Sequence, residues 1–556
     1  MEGDTVRRQL VSGAVASTIA IGAILLSGAC TGSSPTNSTV ATTPSASIDG
    51  STDGSTDGST DAATVGTPPP GLPGTRLVSG AVGLVGVTTD TPPLAIFVIG
   101  TPSILPTQFY LGAVPITGGT PTKIQDPFGR TDTAIVSGGA VGYWTDVRDG
   151  IGTFNVWTRA NGRQTAARGA SSVGLFSATE DGALVAFSVA ATATSADLVV
   201  ASSRWPEPSP RSPWWGRALL TGNAAINLAA SNPLGAKPPA CPPKLGFVNQ
   251  TFFAAYCTGT QPDTTAAHLY MVRADATSPT RLDRDTNAPG SVRPFWSTDS
   301  TGTKVFAIDS DATAAGRYID VTRGAPGVTL DGGTEDGFML SDGTAVIYRT
   351  ASTVMRATTS EAPTRTSLVD GVAAVRGLLA VSGDQRHLMF NSLPPAGANR
   401  LVDIRIIDTS TPSQIPIDAV PTATAAPIGF TGTGTHALYF VNNKNNERSL
   451  TAKPVSPPGP AIESMTGIYG ETGAYLPGKG HGGLLLTTER RWFWLPNPAI
   501  PSTTTPHTTT NLAGSADHVA LVGTTLLYLV FPNSHPKAGN NDHLIGLYAY
   551  PLPAPP

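Results

Sequence analysis

Short apolar runs, each bounded by a polar turn, recur along the chain from about residue 75 to its end. Ser177-Ala178-Thr179-Glu180-Asp181-Gly182 leads into LVAFSV, and Ser297 to Gly302 leads into KVFAID. Leu340-Ser341-Asp342-Gly343 precedes TAVIYR, Val381-Ser382-Gly383-Asp384 precedes HLMFNS, and Phe430 to Gly434 precedes HALYFV. Asp-Gly and Gly-rich pairs between apolar runs mark hairpin turns, because those turns need a positive φ. The runs that follow are rich in Val, Phe, Tyr and Ile, the residues that suit a pleated, half-buried surface. No stretch sustains a 3.6-residue apolar period, which argues against a helical solenoid.

The centres of the second strand in each unit fall near Val85, Tyr143, Val185, Phe253, Val305, Val346, Met389, Tyr439, Leu485 and Tyr528. Most intervals lie in the range of roughly 40–50 residues expected of four-stranded propeller blades. The reading is therefore an all-β body, a β-propeller of four-stranded blades. Ten repeat-like units are countable, and the ring is expected to hold seven to ten blades. The terminal run Leu544 to Tyr550, with a strand near Leu77 to Val87, is expected to close it.

Composition supports the pattern. Charged residues are 13% of 556, while Gly (61) and Pro (49) are abundant. This suits many short strands joined by turns. The net charge of −4 and the lack of a basic stripe argue against a nucleic-acid partner.

The first seventy residues differ. Leu10 to Ala29 carry no charge and follow Arg7-Arg8. A positive flank, an apolar stretch and a small-residue end read as an export signal, residues 1–29. Arg-Arg-Gln-Leu-Val also resembles a twin-arginine motif. Leu25-Leu26-Ser27-Gly28-Ala29-Cys30 resembles a bacterial lipobox, with Ser27 where the usual Leu would stand. The resemblance implies lipidation at Cys30 and a membrane anchor. Ordinary cleavage after Ala29 and an uncleaved anchor are the alternatives. After Cys30, residues 31–74 are mostly Ser, Thr, Gly, Pro, Ala and Asp, with near-repeats of Asp-Gly-Ser-Thr from Asp49. Such a tract cannot bury a core and reads as a disordered flexible tether ahead of the body at 75–556.

With Cys30 set aside, Cys241 and Cys257 remain as an even pair. They flank LGFVNQ and FFAAY, two strands joined at Asn249-Gln250, so a disulfide is expected. Two buried thiols are the alternative.

The Ser-x-Asp-Gly-x-x-Val/Ile-x-Phe/Tyr core resembles the WD40-like repeats of TolB-type β-propellers. Asp181-Gly182 and Asp342-Gly343 match it well, and Asp299 with Gly302 matches with an insertion. Pro294-Phe295-Trp296-Ser297 also fits, and the match extends over residues 170–450. The resemblance implies a fold and carries no activity with it.

The chain has no Gly-x-Ser-x-Gly elbow, and its eight histidines form no His-Glu-x-x-His or other zinc spacing. No catalytic or metal residue is assigned, and no cofactor is expected. Calcium is the one ion that the Asp-rich tether and Asp309/Asp311 bring to mind. The tether lacks the EF-hand spacing, and Asp309 and Asp311 read as a solvated strand end. Trp205, Trp214, Trp215, Trp492 and Trp494 gather in two irregular segments and form a speculative binding surface. The expected function is an exported, lipid-anchored envelope propeller that binds or scaffolds another envelope protein or a glycan. The alternatives are a propeller enzyme acting on envelope glycans or peptides, and a passive structural component of an envelope complex.

Overall fold

The computed structural model describes residues 74–100, 109–129, 132–148, 151–171, 175–190, 195–203, 217–218, 226–227, 241–258, 266–273, 279–283, 292–323, 327–369, 374–393, 403–411, 414–416, 425–442, 448–468, 472–477, 484–488, 491–495, 519–530 and 546–551. Every regular element among them is a strand. The strands form ten antiparallel sheets, mostly of four strands taken in chain order. We number these sheets as blades 1 to 10.

Blade 1 starts at Ala81–Val87, blade 2 at Thr133–Ser137 and blade 3 at Phe176–Ala178. Blade 4 starts at Lys244–Val248, blade 5 at Ser297–Thr298 and blade 6 at Asp336–Met339. Blades 7, 8, 9 and 10 start at Val375–Val381, Ala425–Phe430, Thr472–Pro477 and Val519–Val522. Each first strand pairs on one edge only, with the second strand of its own blade. First strands of most successive blades approach one another, so they lie nearest the axis and the later strands fan outward. This is a β-propeller.

The last blade is built from both ends of the described chain. Thr75–Ser79 pairs with Gly546–Pro551 and forms the outer strand of blade 10. The closure expected of the C-terminal run is therefore present. Arg76 sits over Tyr548 and hydrogen-bonds it, and Tyr548 stacks on Tyr528 at 5.2 Å.

Nine of the ten expected markers fall on second strands. The exception is Val85, which lies in the first strand of blade 1; the second is Leu94–Gly100. Both runs are apolar and buried, so periodicity could not tell them apart. Moving the marker to Phe97 brings the first interval, to Tyr143, inside the blade period. Of the seven to ten blades expected, the described residues form ten sheets.

Apolar clusters fill the seams between blades. Trp144, Phe154 and Phe187 lie fully buried between blades 2 and 3, with Trp144–Phe154 centroids at 4.5 Å and Phe154–Phe187 at 5.1 Å. Phe253 of blade 4 meets Trp296 of blade 5 at 5.3 Å. Each such ring removed from water is worth roughly 1.5–3 kcal/mol, so the seams are the core of the molecule.

One turn recurs between the first and second strands of blades 3, 5, 6, 7 and 8. It spans Thr179–Gly182, Asp299–Gly302, Leu340–Gly343, Ser382–Gln385 and Thr431–Gly434. The N–H of each fourth residue donates to the carbonyl of the first, and each fourth residue has positive φ. Glycine fills that place four times. Gln385 fills it in blade 7 at φ 57°, a backbone state costing about 1–2 kcal/mol for a side-chain-bearing residue. Its side chain offsets this by accepting the Ser341 N–H at 2.6 Å, which ties blade 7 to blade 6.

Candidate functional site

The five turns define one face of the ring. The opposite face carries the starts of the innermost strands, and there charged side chains from four successive blades meet. Lys244 opens the first strand of blade 4, with Nζ 4.7 Å from the Phe295 ring centroid and 4.8 Å from that of Trp296. The ammonium also donates to the Trp296 carbonyl, and Trp296 Nε1 donates to the Lys244 carbonyl at 3.0 Å. Phe295 is half-buried and so still offers part of its ring.

Arg293 stands just before the first strand of blade 5 and donates through Nη1 to the Glu335 carbonyl of blade 6 at 3.1 Å. Arg349 closes the second strand of blade 6, where cross-strand pairing sets it opposite Asp336. Its Nε donates to Asp336 Oδ2 at 2.8 Å, and Nη1 reaches Glu335 and, at 3.1 Å, the Val375 carbonyl of blade 7. Arg376 follows Val375 with an exposed side chain. The contacts thus run without a break from blade 4 to blade 7 along the inner rim.

Four cations, Lys244, Arg293, Arg349 and Arg376, stand against the two carboxylates of Glu335 and Asp336. The rim is locally positive in a chain whose net charge is −4. Burial pushes the Asp336 carboxyl above its ordinary value, against the hydrogen bond and charge of Arg349. Such an arrangement can recognise an anionic or polar group. Its carboxylates are already engaged by one arginine.

Two other buried ion pairs lie on this side. Asp309 and Arg317 are each about 2% exposed, with Arg317 Nη2 donating to Asp309 Oδ2 at 2.6 Å. The expectation of a solvated strand end is thus corrected. Asp309 directly follows the second strand of blade 5, Lys304–Ile308, within reach of the third, and burial is tolerated because the guanidinium answers it. Asp311 is exposed in the following turn, where it accepts the N–H groups of Thr313 and Ala314. In blade 4, buried Asp283 accepts from Arg281 Nε and Nη2, both at 2.7 Å, and lies 3.1 Å from His268 Nδ1. Burial alone would raise the Asp283 carboxyl. The hydrogen bonds and charges of His268 and Arg281 outweigh it and hold the group below its ordinary value. Among the described residues no three His, Cys, Asp or Glu side chains gather as a metal site.

Cys241 and Cys257 are joined as a disulfide, Cα to Cα 6.1 Å. Val248 pairs with Thr251 across Asn249-Gln250, so the two-residue turn stands as expected. Trp492 and Trp494 lie opposite Thr487 and Leu485 on a regular strand, Arg491–Leu495 of blade 9. That corrects the irregular segment expected there. Trp205, Trp214, Trp215 and Cys30 lie outside the described residues. Sequence reasoning missed the rim because it is assembled from four units. The available signal was a charged residue at the start of successive units: Lys244, Arg293, Asp336 and Arg376.

Many solved structures are similar to parts of this chain. A eukaryotic initiation factor structure is similar at TM-score 0.37 and 12% identity, over 69% of this chain and 87% of that one. A prolyl endopeptidase gives TM-score 0.32 at 12% identity, over 65% of this chain and 52% of that one. This chain therefore spans about half the length of that endopeptidase. The putative TolB of Agrobacterium tumefaciens gives TM-score 0.25 at 10% identity, over 47% of this chain and 90% of that one. No family model matches the sequence. No curated protein matches it.

Proposed function

We propose that this chain is an exported, membrane-tethered binding propeller, which holds an envelope protein or glycan at the inner rim of blades 4 to 7. The observation that carries the reading is the run of contacts from Lys244 to Val375, beside the exposed Arg376. It places an excess of positive charge and part of an aromatic ring at the starts of the innermost strands. The carboxylates of this rim are held by Arg349, which suits recognition by shape and charge better than proton transfer.

Export and tethering draw support from elsewhere in the chain. Arg7-Arg8, the uncharged Leu10 to Ala29 and Cys30 form the export signal. The Cys241–Cys257 disulfide suits a protein that matures in an oxidising compartment.

Two measurements test the reading. The full chain, expressed in a bacterium that processes lipoproteins, is fractionated and its mature N-terminus weighed. A lipidated Cys30 terminus is expected, with Cys30→Ala moving the protein to the soluble fraction. An intact Met1 or an unmodified Cys30 terminus would refute tethering by lipid. Envelope extracts are then passed over the full chain and its Arg376→Glu variant. Selective loss of a captured component with the variant is expected, and an unchanged profile would refute the rim as the binding site.

A further inference from the structure

The second residue after the recurring turn holds an equivalent place in five blades. It is Leu184, Lys304, Ala345, His387 and His436 in blades 3, 5, 6, 7 and 8. The carbonyl of each accepts the N–H of the first turn residue. In blade 5 this residue bridges to the next blade: Lys304 Nζ donates to the Gly343 carbonyl at 2.8 Å and to Thr359 Oγ1 at 2.9 Å. Thr359 has its own equivalents. Its N–H donates to the Thr344 carbonyl, just as Val455 donates to Thr435 in blade 8. Where blade 6 offers a hydroxyl to the residue from the blade before it, blade 8 has Val455, which is buried.

His387 occupies this place in blade 7. It is 3% exposed, its Nδ1 has no hydrogen-bond partner, and its ring lies 6.4 Å from that of Phe430 in blade 8. The charged groups that act on it all come from blade 7. Asp384 and Asp408 favour the imidazolium, and Arg386 opposes it. Burial outweighs the two carboxylates and holds the ring below the ordinary histidine value of 6.5.

We propose that the seam between blades 7 and 8 is a pH-sensitive junction, closed while His387 is neutral and loosened when the ring takes up a proton. Protonation puts a hydrogen on both ring nitrogens. Nδ1–H then requires an acceptor that Phe430 and Val455 cannot supply. Asp384 and Asp408 can answer the charge better if the ring leaves its place, and the seam parts with it. The seam between blades 5 and 6 is the built-in control, because Lys304 holds the equivalent place there with both of its acceptors present.

Hydrogen exchange on the full chain, corrected for intrinsic rates, tests this across the histidine range. Protection of His387–Ser392 and Ala425–Phe430 should fall on acidification relative to Lys304–Ile308 and Asp336–Met339. The loss is limited to about tenfold per pH unit between the closed-state and open-state pKa of one proton. His387→Phe keeps an apolar ring without a titrating nitrogen and should remove the difference. Val455→Thr restores the missing hydroxyl and should reduce it, which keeps the test informative if His387→Phe does not fold. Equal losses at both seams, or a full acid response in either variant, would overturn the proposal.

Discussion

Cutting the Cys241–Cys257 cross-link gives the sharpest test of how blade 4 is held. The bond closes a loop with a sequence separation of 16. Loop-closure entropy for that length amounts to about 3 kcal/mol at room temperature. Both sulfurs also sit in the apolar cluster of the seam between blades 4 and 5, with Val248, Phe253, Trp296 and Val305. The chemistry left behind therefore matters as much as the lost link. Cys241→Ala with Cys257→Ala should lose about 3 kcal/mol plus a smaller term for two sulfur-sized voids. Cys241→Ser with Cys257→Ser buries two hydroxyls in the same cluster. That adds about 1–3 kcal/mol for each one left unpartnered. Urea denaturation followed by tryptophan fluorescence, with and without reductant, should rank oxidised wild type above the alanine pair and the alanine pair above the serine pair. The alanine pair should ignore reductant. Coincident oxidised and reduced wild-type curves would refute the entropy argument. A serine pair as stable as the alanine pair would refute the dry seam.

Other substitutions probe other levels of the structure. Asp309→Ala removes the carboxylate that answers the buried Arg317 guanidinium and should cost about 3–5 kcal/mol, while Asp309→Leu with Arg317→Met should recover most of it, as read in a denaturant double-mutant cycle. Gly138→Ala should lower the melting temperature clearly. The position has φ 51° and a built Cβ would lie 2.0 Å from the Thr179 carbonyl oxygen, on top of the left-handed penalty of about 1–2 kcal/mol. Asp283, whose folded-state pKa is depressed, contributes stability above its unfolded value near 3.8, and this is lost as pH falls through the lower folded value. Asp283→Asn should therefore flatten that part of the stability profile, measured by melting temperature against pH.

Much of this architecture can be read in the sequence because each blade repeats the same local chemistry. Asp181-Gly182 and Asp342-Gly343 announce their turns through the φ that only glycine takes cheaply, and the strand after each turn is apolar enough to mark itself. Blade 1 resisted that reading because AVGLVGV and LAIFVIG are equally apolar, and the Thr-Pro-rich link between them lacks an Asp-Gly signal. Asp309 misled for a different reason. Its partner Arg317 lies eight residues on, beyond a turn, and an alternation of carboxylates along one strand says nothing about a cation from the next. The rim residues each look like ordinary strand-start charges. Only the setting of the blades around one axis brings Lys244, Arg293, Asp336 and Arg376 to the same rim.

The pairing of Thr75–Ser79 with Gly546–Pro551 also sets an order of events. The earliest strand of the body has no partner until the latest one arrives, so the final blade forms last however quickly the others assemble. A chain threaded through a membrane with its N-terminus leading would carry an open ring across, and could lock it only once its own far end had followed.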